Sequence, residues 1–224
     1  METEELMTRW PTLLTLAGTM VHVEKLTDVR FEENIKKNYD SEGGKWFNFF
    51  RHSNNKTIFP VIEQINAATT RTGSQKPVFP GLVLLVLKWF KEDPDHLFIK
   101  VNDTASSHDS AVVDRLPKTP CMVFCGESVL TAERFMVALD KKIIVELNNF
   151  VSTLAMYFGV TFMTNCEYAK ELPCTNDFFI RVFANLQPDN ICSSQGGKRK
   201  KTVKDKVCGI LAKFGYWITI GHCS

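Results

Sequence analysis

The chain has 224 residues, of which 44% are hydrophobic, 23% charged and 11% aromatic. This composition excludes global disorder, because the apolar side chains suffice to build a substantial core. The formal net charge of +2 is too small to indicate that the protein as a whole binds nucleic acid through bulk electrostatics.

The first residues are acidic where a secretory signal would be basic, and no apolar signal core follows them. The longest apolar run, from Leu82 to Leu87, is much shorter than the roughly 20 residues of a membrane span. The seven cysteines form an odd set, which favours reduced thiols over disulfides. We therefore expect an intracellular protein of the nucleus or cytoplasm, without a membrane partner.

The N-terminal region has the apolar spacing of amphipathic helices. The predicted helices cover residues 6–24, 29–39 and 59–69. In the first of them, Thr8 is the predicted N-cap and Pro11 lies within the first turn. The polar, glycine-rich residues 40–44 are predicted to break the chain after the second helix.

Between residues 70 and 120 the pattern changes. Residues 70–80 are polar and rich in turn formers, so we predict a loop that separates the two halves of the chain. Residues 82–90 and 97–101 are apolar and partly β-branched, a pattern typical of strands, and a turn at Asp93-Pro94-Asp95 separates them.

The region from 120 to 190 has the clearest pattern. Residues 121–125 form a predicted buried strand, and residues 134–139 and 143–147 form a predicted hairpin. Two helices are predicted to follow, with apolar stripes over 150–162 and 178–186. The predicted fold class is therefore α+β, with N-terminal helices and then a small, mostly antiparallel sheet packed by two C-terminal helices.

Three regions follow from these patterns. They are a helical region at 1–70, an α+β module at 80–190 that shares a core with it, and a C-terminal segment at 191–224. This last segment combines a predicted linker at 193–197, a basic run and a short stretch with helical spacing that ends near Gly215.

The basic run is the most distinctive charged feature of the chain. Six cations accompany a single acid, Asp205, within nine residues, and we predict them as nuclear-import or phosphate-contact residues. They are Lys198, Arg199, Lys200, Lys201, Lys204 and Lys206. The alternative is a solvated, flexible tail, because short basic runs are common on protein surfaces.

Two parts of the sequence resemble a known family. They are similar to multicopy uncharacterised proteins labelled sterile-alpha-motif-protein-three-like. The first part is Arg9-Trp10-Pro11 before an apolar helix. The second is the stretch 116–126, followed by 134–140 and by the helix after Phe150. The resemblance covers about residues 5–190 and lies outside any sterile alpha motif. It implies a fold and no established chemistry.

Several short motifs contain residues found in catalytic or metal-binding patterns, but none of them matches such a pattern in full. Cys121 and Cys125 lack a second ligand pair for zinc, and Gly126-Glu127-Ser128 lacks the closing glycine of a nucleophile elbow. His108-Asp109-Ser110 consists of sequence neighbours, which do not form a triad, and Gly196-Gly197-Lys198 fails the phosphate-loop spacing. We predict no catalytic residue, metal or cofactor.

One mixed cluster remains ambiguous at the sequence level. Glu92, Asp93, Asp95 and His96 could bind a metal or exchange protons. Solvated turn residues explain the same cluster, because turns favour aspartate and proline.

The sequence leaves three alternative hypotheses of function. The first is a non-catalytic interaction module, with the nucleus as one candidate location, which binds another protein or a second copy of itself through its aromatic-rich faces. The second is a mobile-element-derived protein that associates with nucleic acid through residues 198–206. The third is an enzyme whose site assembles from dispersed residues.

Overall fold

The computed structural model describes residues 3–106, 110–164, 169–186 and 198–215. The fold is α+β: helices come first, a four-stranded sheet follows, and further helices complete the chain. Before the sheet the helices are α1 (Thr3–Arg9), α2 (Leu16–Thr27), α3 (Phe31–Asn38), α4 (Gly44–Arg51), α5 (Phe59–Thr72) and α6 (Val78–Phe90). The predicted helices at 29–39 and 59–69 are thereby confirmed.

The single helix predicted for residues 6–24 is wrong. The chain leaves α1 after Arg9, forms a 3₁₀ turn over Pro11–Leu14 and begins α2 at Leu16. Pro11 lacks the N–H that would continue the first helix, so it starts the 3₁₀ turn instead. Thr15, rather than Thr8, caps α2, because its Oγ1 accepts a hydrogen bond from the backbone N–H of Gly18 at 3.1 Å.

The predicted break at residues 40–44 is also wrong. The backbone continues from α3 through a π-helical turn, Tyr39–Gly43, directly into α4. Gly43 is buried beneath the ring of Tyr39, and a Cβ atom there would lie only 2.5 Å from Tyr39 Cδ2. Glycine therefore serves here to allow close packing, and not to end the helix.

Residues 82–90, predicted as a strand, belong to α6. This helix is buried on nearly every side, so its sequence shows a continuous apolar run instead of helical periodicity. A Cβ on Gly81 would meet Ile65 Cγ1 at 2.4 Å, which shows how closely α5 and α6 approach. The predicted loop at 70–80 is correspondingly shorter, because α5 continues to Thr72 and α6 begins at Val78.

The sheet confirms the predicted strand and hairpin. Its strands are β1 (Phe98–Val101), β2 (Cys121–Cys125), β3 (Phe135–Leu139) and β4 (Lys142–Leu147), in the order β1-β2-β3-β4. β1 and β2 are parallel, with the short helix α7 (Ser110–Val113) between them in sequence, and the other pairs are antiparallel. Asp140 and Lys141 adopt φ angles of 50° and 61°, as a two-residue hairpin turn requires.

The remaining helices cover the sheet and close the core. They are α8 (Phe150–Thr164), α9 (Pro173–Val182) and α10 (Lys198–Phe214). The long helix predicted at 150–162 is confirmed as α8, whereas the helix predicted for 178–186 begins five residues earlier, at Pro173. The predicted linker at 193–197 lies outside the described residues.

The main core contains side chains from both halves of the chain. Trp46 and Phe50 of α4 are fully buried in the same apolar cluster as Phe158 of α8 and Phe178 of α9. Among the thiols, Cys121, Cys125 and Cys174 are buried. Among the described residues of the C-terminal half, most aromatic and thiol-bearing side chains therefore face inward, whereas Phe162, Cys208 and Phe214 are half-buried.

Candidate binding cleft

A cleft of about 810 Å³ opens between the helices and one end of the sheet. Four described parts of the chain line it. They are Tyr39 in the turn between α3 and α4, the α5–α6 connection with the start of α6, the loop between β2 and β3 with the first residue of β3, and the turn from β4 into α8. Side chains from the helical region and from the sheet module therefore meet in one concavity.

The floor of the cleft is apolar and largely buried. Phe79, Phe135 and Phe150 form a connected aromatic group, with Phe150 centred 5.5 Å from Phe79 and 5.8 Å from Phe135. Tyr39 stacks on Phe79 with the ring centroids 4.0 Å apart. These edge-to-face and stacked contacts fix the rings, so the floor is pre-formed.

The rim of the cleft is polar and exposed. It contains side chains that can donate and accept hydrogen bonds, together with one cation and one anion. The rim side chains are Ser74, Gln75, Lys76, Glu133, Asn148 and Asn149. Asn149 also caps α8, because its Oδ1 accepts a hydrogen bond from the N–H of Ser152 at 2.8 Å. The rim is thus held in place by the first turn of that helix.

The electrostatics of the cleft are close to neutral. Of its lining residues only Tyr39, Lys76 and Glu133 are ionisable. Burial, reinforced by the nearby carboxylate of Asp40, raises the pKa of Tyr39 to about 12. Its phenol therefore stays protonated at neutral pH and can act as a hydrogen-bonding group.

The basic residues singled out in the sequence lie elsewhere, on α10. Lys198, Arg199, Lys200 and Lys201 are the first four residues of this helix, and Lys204 and Lys206 follow on exposed positions. Lys204 and Lys206 are not among the described residues that line the cleft. The structure therefore contains two separate candidate surfaces, one concave and nearly neutral, the other helical and cationic.

The mixed acidic cluster after α6 has a structural role. The two carboxylate oxygens of Glu92 accept hydrogen bonds from the N–H groups of Cys174 and Thr175, at 2.8 and 2.9 Å. Glu92 therefore caps the first turn of α9 from a distant part of the chain. Asp93 caps its own 3₁₀ turn by accepting from the N–H of Asp95, and His96 is exposed. The turn interpretation explains this cluster.

The cysteine pair lies inside the sheet. Cys121 and Cys125 belong to one buried apolar cluster, and burial raises the pKa of the Cys121 thiol to about 12. Cys125 Sγ accepts a hydrogen bond from Arg134 Nε at 3.2 Å. Both thiols are thus core groups, as their apolar sequence context predicts.

The remaining motifs are described only in part. Ser128 lies in a turn where its Oγ accepts a hydrogen bond from the N–H of Leu130. His108 and Asp109, like Gly196 and Gly197, lie outside the described residues.

Sequence reasoning missed the cleft. A signal for part of it exists: Asn148-Asn149 immediately precedes an apolar helix, which is the pattern of a helix cap. The other lining residues lie at position 39 and in segments 74–80 and 129–135, and only the folded chain brings them together with this cap.

Within the four described segments, no group of three or more histidine, cysteine, aspartate or glutamate side chains is arranged to hold a metal ion. In the same residues, no helix combines the length and apolarity needed to cross a membrane. No family model, curated protein or solved structure matches this chain.

Proposed function

We propose that this protein is a non-catalytic interaction module that binds a segment of a partner protein in the cleft between the helices and the sheet. The single observation that supports this function is the combination of a buried aromatic floor with an exposed polar rim. Protein interfaces have the same anatomy, an apolar centre surrounded by polar groups.

The chemistry of the lining defines the partner segment. The floor, built from Phe79, Phe135 and Phe150, suits one or two large apolar side chains. The amides of Gln75, Asn148 and Asn149 can both donate to and accept from a peptide backbone. With one cation and one anion on the rim, the cleft favours a segment of low net charge.

The raised pKa of Tyr39 in the cleft favours binding over catalysis. A general acid or base works best with a pKa near the operating pH, whereas the Tyr39 phenol has its pKa raised to about 12. None of the described residues that line the cleft is a histidine or a cysteine. A nuclear location is part of this proposal only because the basic residues 198–206 of α10 were predicted to be nuclear-import residues.

The test is a selection of binding peptides from a random display library. Ala132 is half-buried in the cleft wall, so Ala132→Trp fills the cleft without removing a floor residue. We expect selected peptides to carry a large apolar anchor and to lose at least tenfold in affinity for this variant, measured by isothermal titration calorimetry.

The matched control is Ala67→Trp, which places the same side chain on an exposed position of α5 outside the cleft. Peptides should bind this control as tightly as the original protein. Enrichment of no peptide, or equal binding to both tryptophan variants, would overturn the proposal. Sedimentation of the free protein as a dimer that Ala132→Trp dissociates would replace the partner segment by a second copy.

A further inference from the structure

The helix α10 has two chemically different parts. Residues 198–206 carry six cations and one acid, a net charge of +5, while the whole chain carries only +2. The rest of the protein therefore carries a net charge of −3. Positive charge is concentrated in one short segment, and any attraction of a polyanion is localised there.

The other part of α10 attaches the helix to the protein. Val207, Ile210 and Leu211 are almost completely buried, and Phe214 stacks on Trp46 with ring centroids 3.8 Å apart. The apolar stripe of the helix is thus used within the fold. The cationic part extends from an anchored helix and is not an isolated flexible tail.

The cations in the first turn of α10 stand where positive charge is unfavourable for a helix. The N-terminus of an α-helix carries a partial positive charge, so positive side chains in the first turn are unfavourable there. α10 nevertheless begins with Lys198, Arg199, Lys200 and Lys201 and has no acidic residue in its first turn. Residues that are unfavourable for local stability are expected at functional sites.

We infer that residues 198–206 of α10 bind the phosphate backbone of nucleic acid without reading its sequence. An amphipathic helix binds a membrane by inserting its apolar face, but here Val207, Ile210 and Leu211 are already buried against the protein. The exposed positions Lys204 and Lys206 can still meet phosphates while the helix stays docked. Nucleic acid is therefore favoured over an anionic lipid surface.

Fluorescence anisotropy with a labelled 20-base-pair DNA duplex of arbitrary sequence tests this site. If all six cations contact phosphates, affinity should fall about a thousandfold between 50 and 200 mM salt. Lys204→Ala combined with Lys206→Ala removes two contacts, so the same change in salt should then cost only about a hundredfold. Changing the sequence of the duplex should leave the affinity within about twofold.

A charge-reversal variant separates binding from folding. Lys198→Glu, Lys200→Glu and Lys201→Glu together should abolish duplex binding at 100 mM salt while the thermal midpoint stays the same or rises, because acids suit the first turn of a helix. The matched control reverses the exposed Lys25, Lys37 and Lys118 and changes the net charge equally. It should retain most of the binding.

Three results would overturn the inference: an affinity that does not change with salt, equal losses in both charge-reversal variants, or tighter binding to phosphatidylserine vesicles than to the duplex. The duplex assay and the peptide selection measure different ligands, so failure of this inference is distinguishable from failure of the proposed function.

Discussion

The helices α8 and α10 both lie in the C-terminal half, yet their surroundings differ. Every residue of α8 from Ser152 to Thr161 is buried. In α10 the fully buried side chains form a narrow stripe, and residues such as Lys204, Lys206 and Lys213 are exposed. One helix is an internal element of the core, and the other covers it.

The two helices also contact different parts of the protein. α8 packs on α2, α3 and three strands of the sheet. α10 packs mainly on α9, and Phe214 reaches Trp46 and Phe49 of α4. Damage to α8 should therefore spread through the whole fold, whereas damage to α10 should stay local.

The largest expected effect concerns α8. Phe158→Ala should lower the free energy of unfolding by about 3–5 kcal/mol, because the ring is 1% exposed and its removal leaves a cavity. Urea unfolding followed by circular dichroism measures this loss. A loss below about 1 kcal/mol would mean that α8 is not the core helix described above.

For α10 the expected effect is smaller and confined to the helix. Phe214→Ala should cost about 1–3 kcal/mol, because this ring is only half-buried and its main partner is Trp46. Hydrogen exchange should become faster in α10 and remain unchanged in α8. Faster exchange in both helices would contradict the comparison.

The stability of the protein at alkaline pH should depend on Tyr157, which lies on the core helix α8. Burial raises the pKa of Tyr157 on α8, so its phenol stays neutral in the folded protein while the unfolded chain ionises near pH 10. The stabilisation by Tyr157 is complete below pH 10 and is lost as the pH rises above it.

Tyr157→Phe should weaken this alkaline loss of stability, which urea unfolding between pH 8 and 11.5 would show. At pH 7 the same change should cost about 1 kcal/mol, since it removes the hydrogen bond from the Tyr157 hydroxyl to Asn176 Oδ1. If the free energy of unfolding falls equally with rising pH in Tyr157→Phe, another ionisable group causes the loss. Cys121 is the leading alternative, because its pKa is also raised, to about 12.

The smallest expected effect concerns α9, which lies against α10. Thr175 is 1% exposed and its Oγ1 has no hydrogen-bond partner among the described residues, so Thr175→Val should stabilise the protein by up to about 1 kcal/mol. Thr161→Val on α8 is the matched control, because Thr161 Oγ1 donates to the carbonyl of Tyr157. The control should bring no gain, and differential scanning calorimetry can compare the two thermal midpoints.

Local patterns explain which elements were predicted correctly. The β3–β4 hairpin needs only two alternating segments and a tight turn at Asp140 and Lys141, all within 14 residues of sequence. In contrast, α6 is buried on nearly all sides, so its apolar run at 82–90 does not distinguish a helix from a strand. The error arose where tertiary burial removes the periodic signal.

The amino-acid sequence by itself determined the α+β class, the hairpin, α8 and the concentration of charge at 198–206, because these depend on neighbouring residues. Only the tertiary structure decided that Glu92 caps α9, that Gly81 of α6 packs closely on Ile65 of α5, and that segments from both halves of the chain enclose the cleft. Those features depend on contacts between residues far apart in the chain. Local propensity carries no information about such contacts, since the folded core selects them.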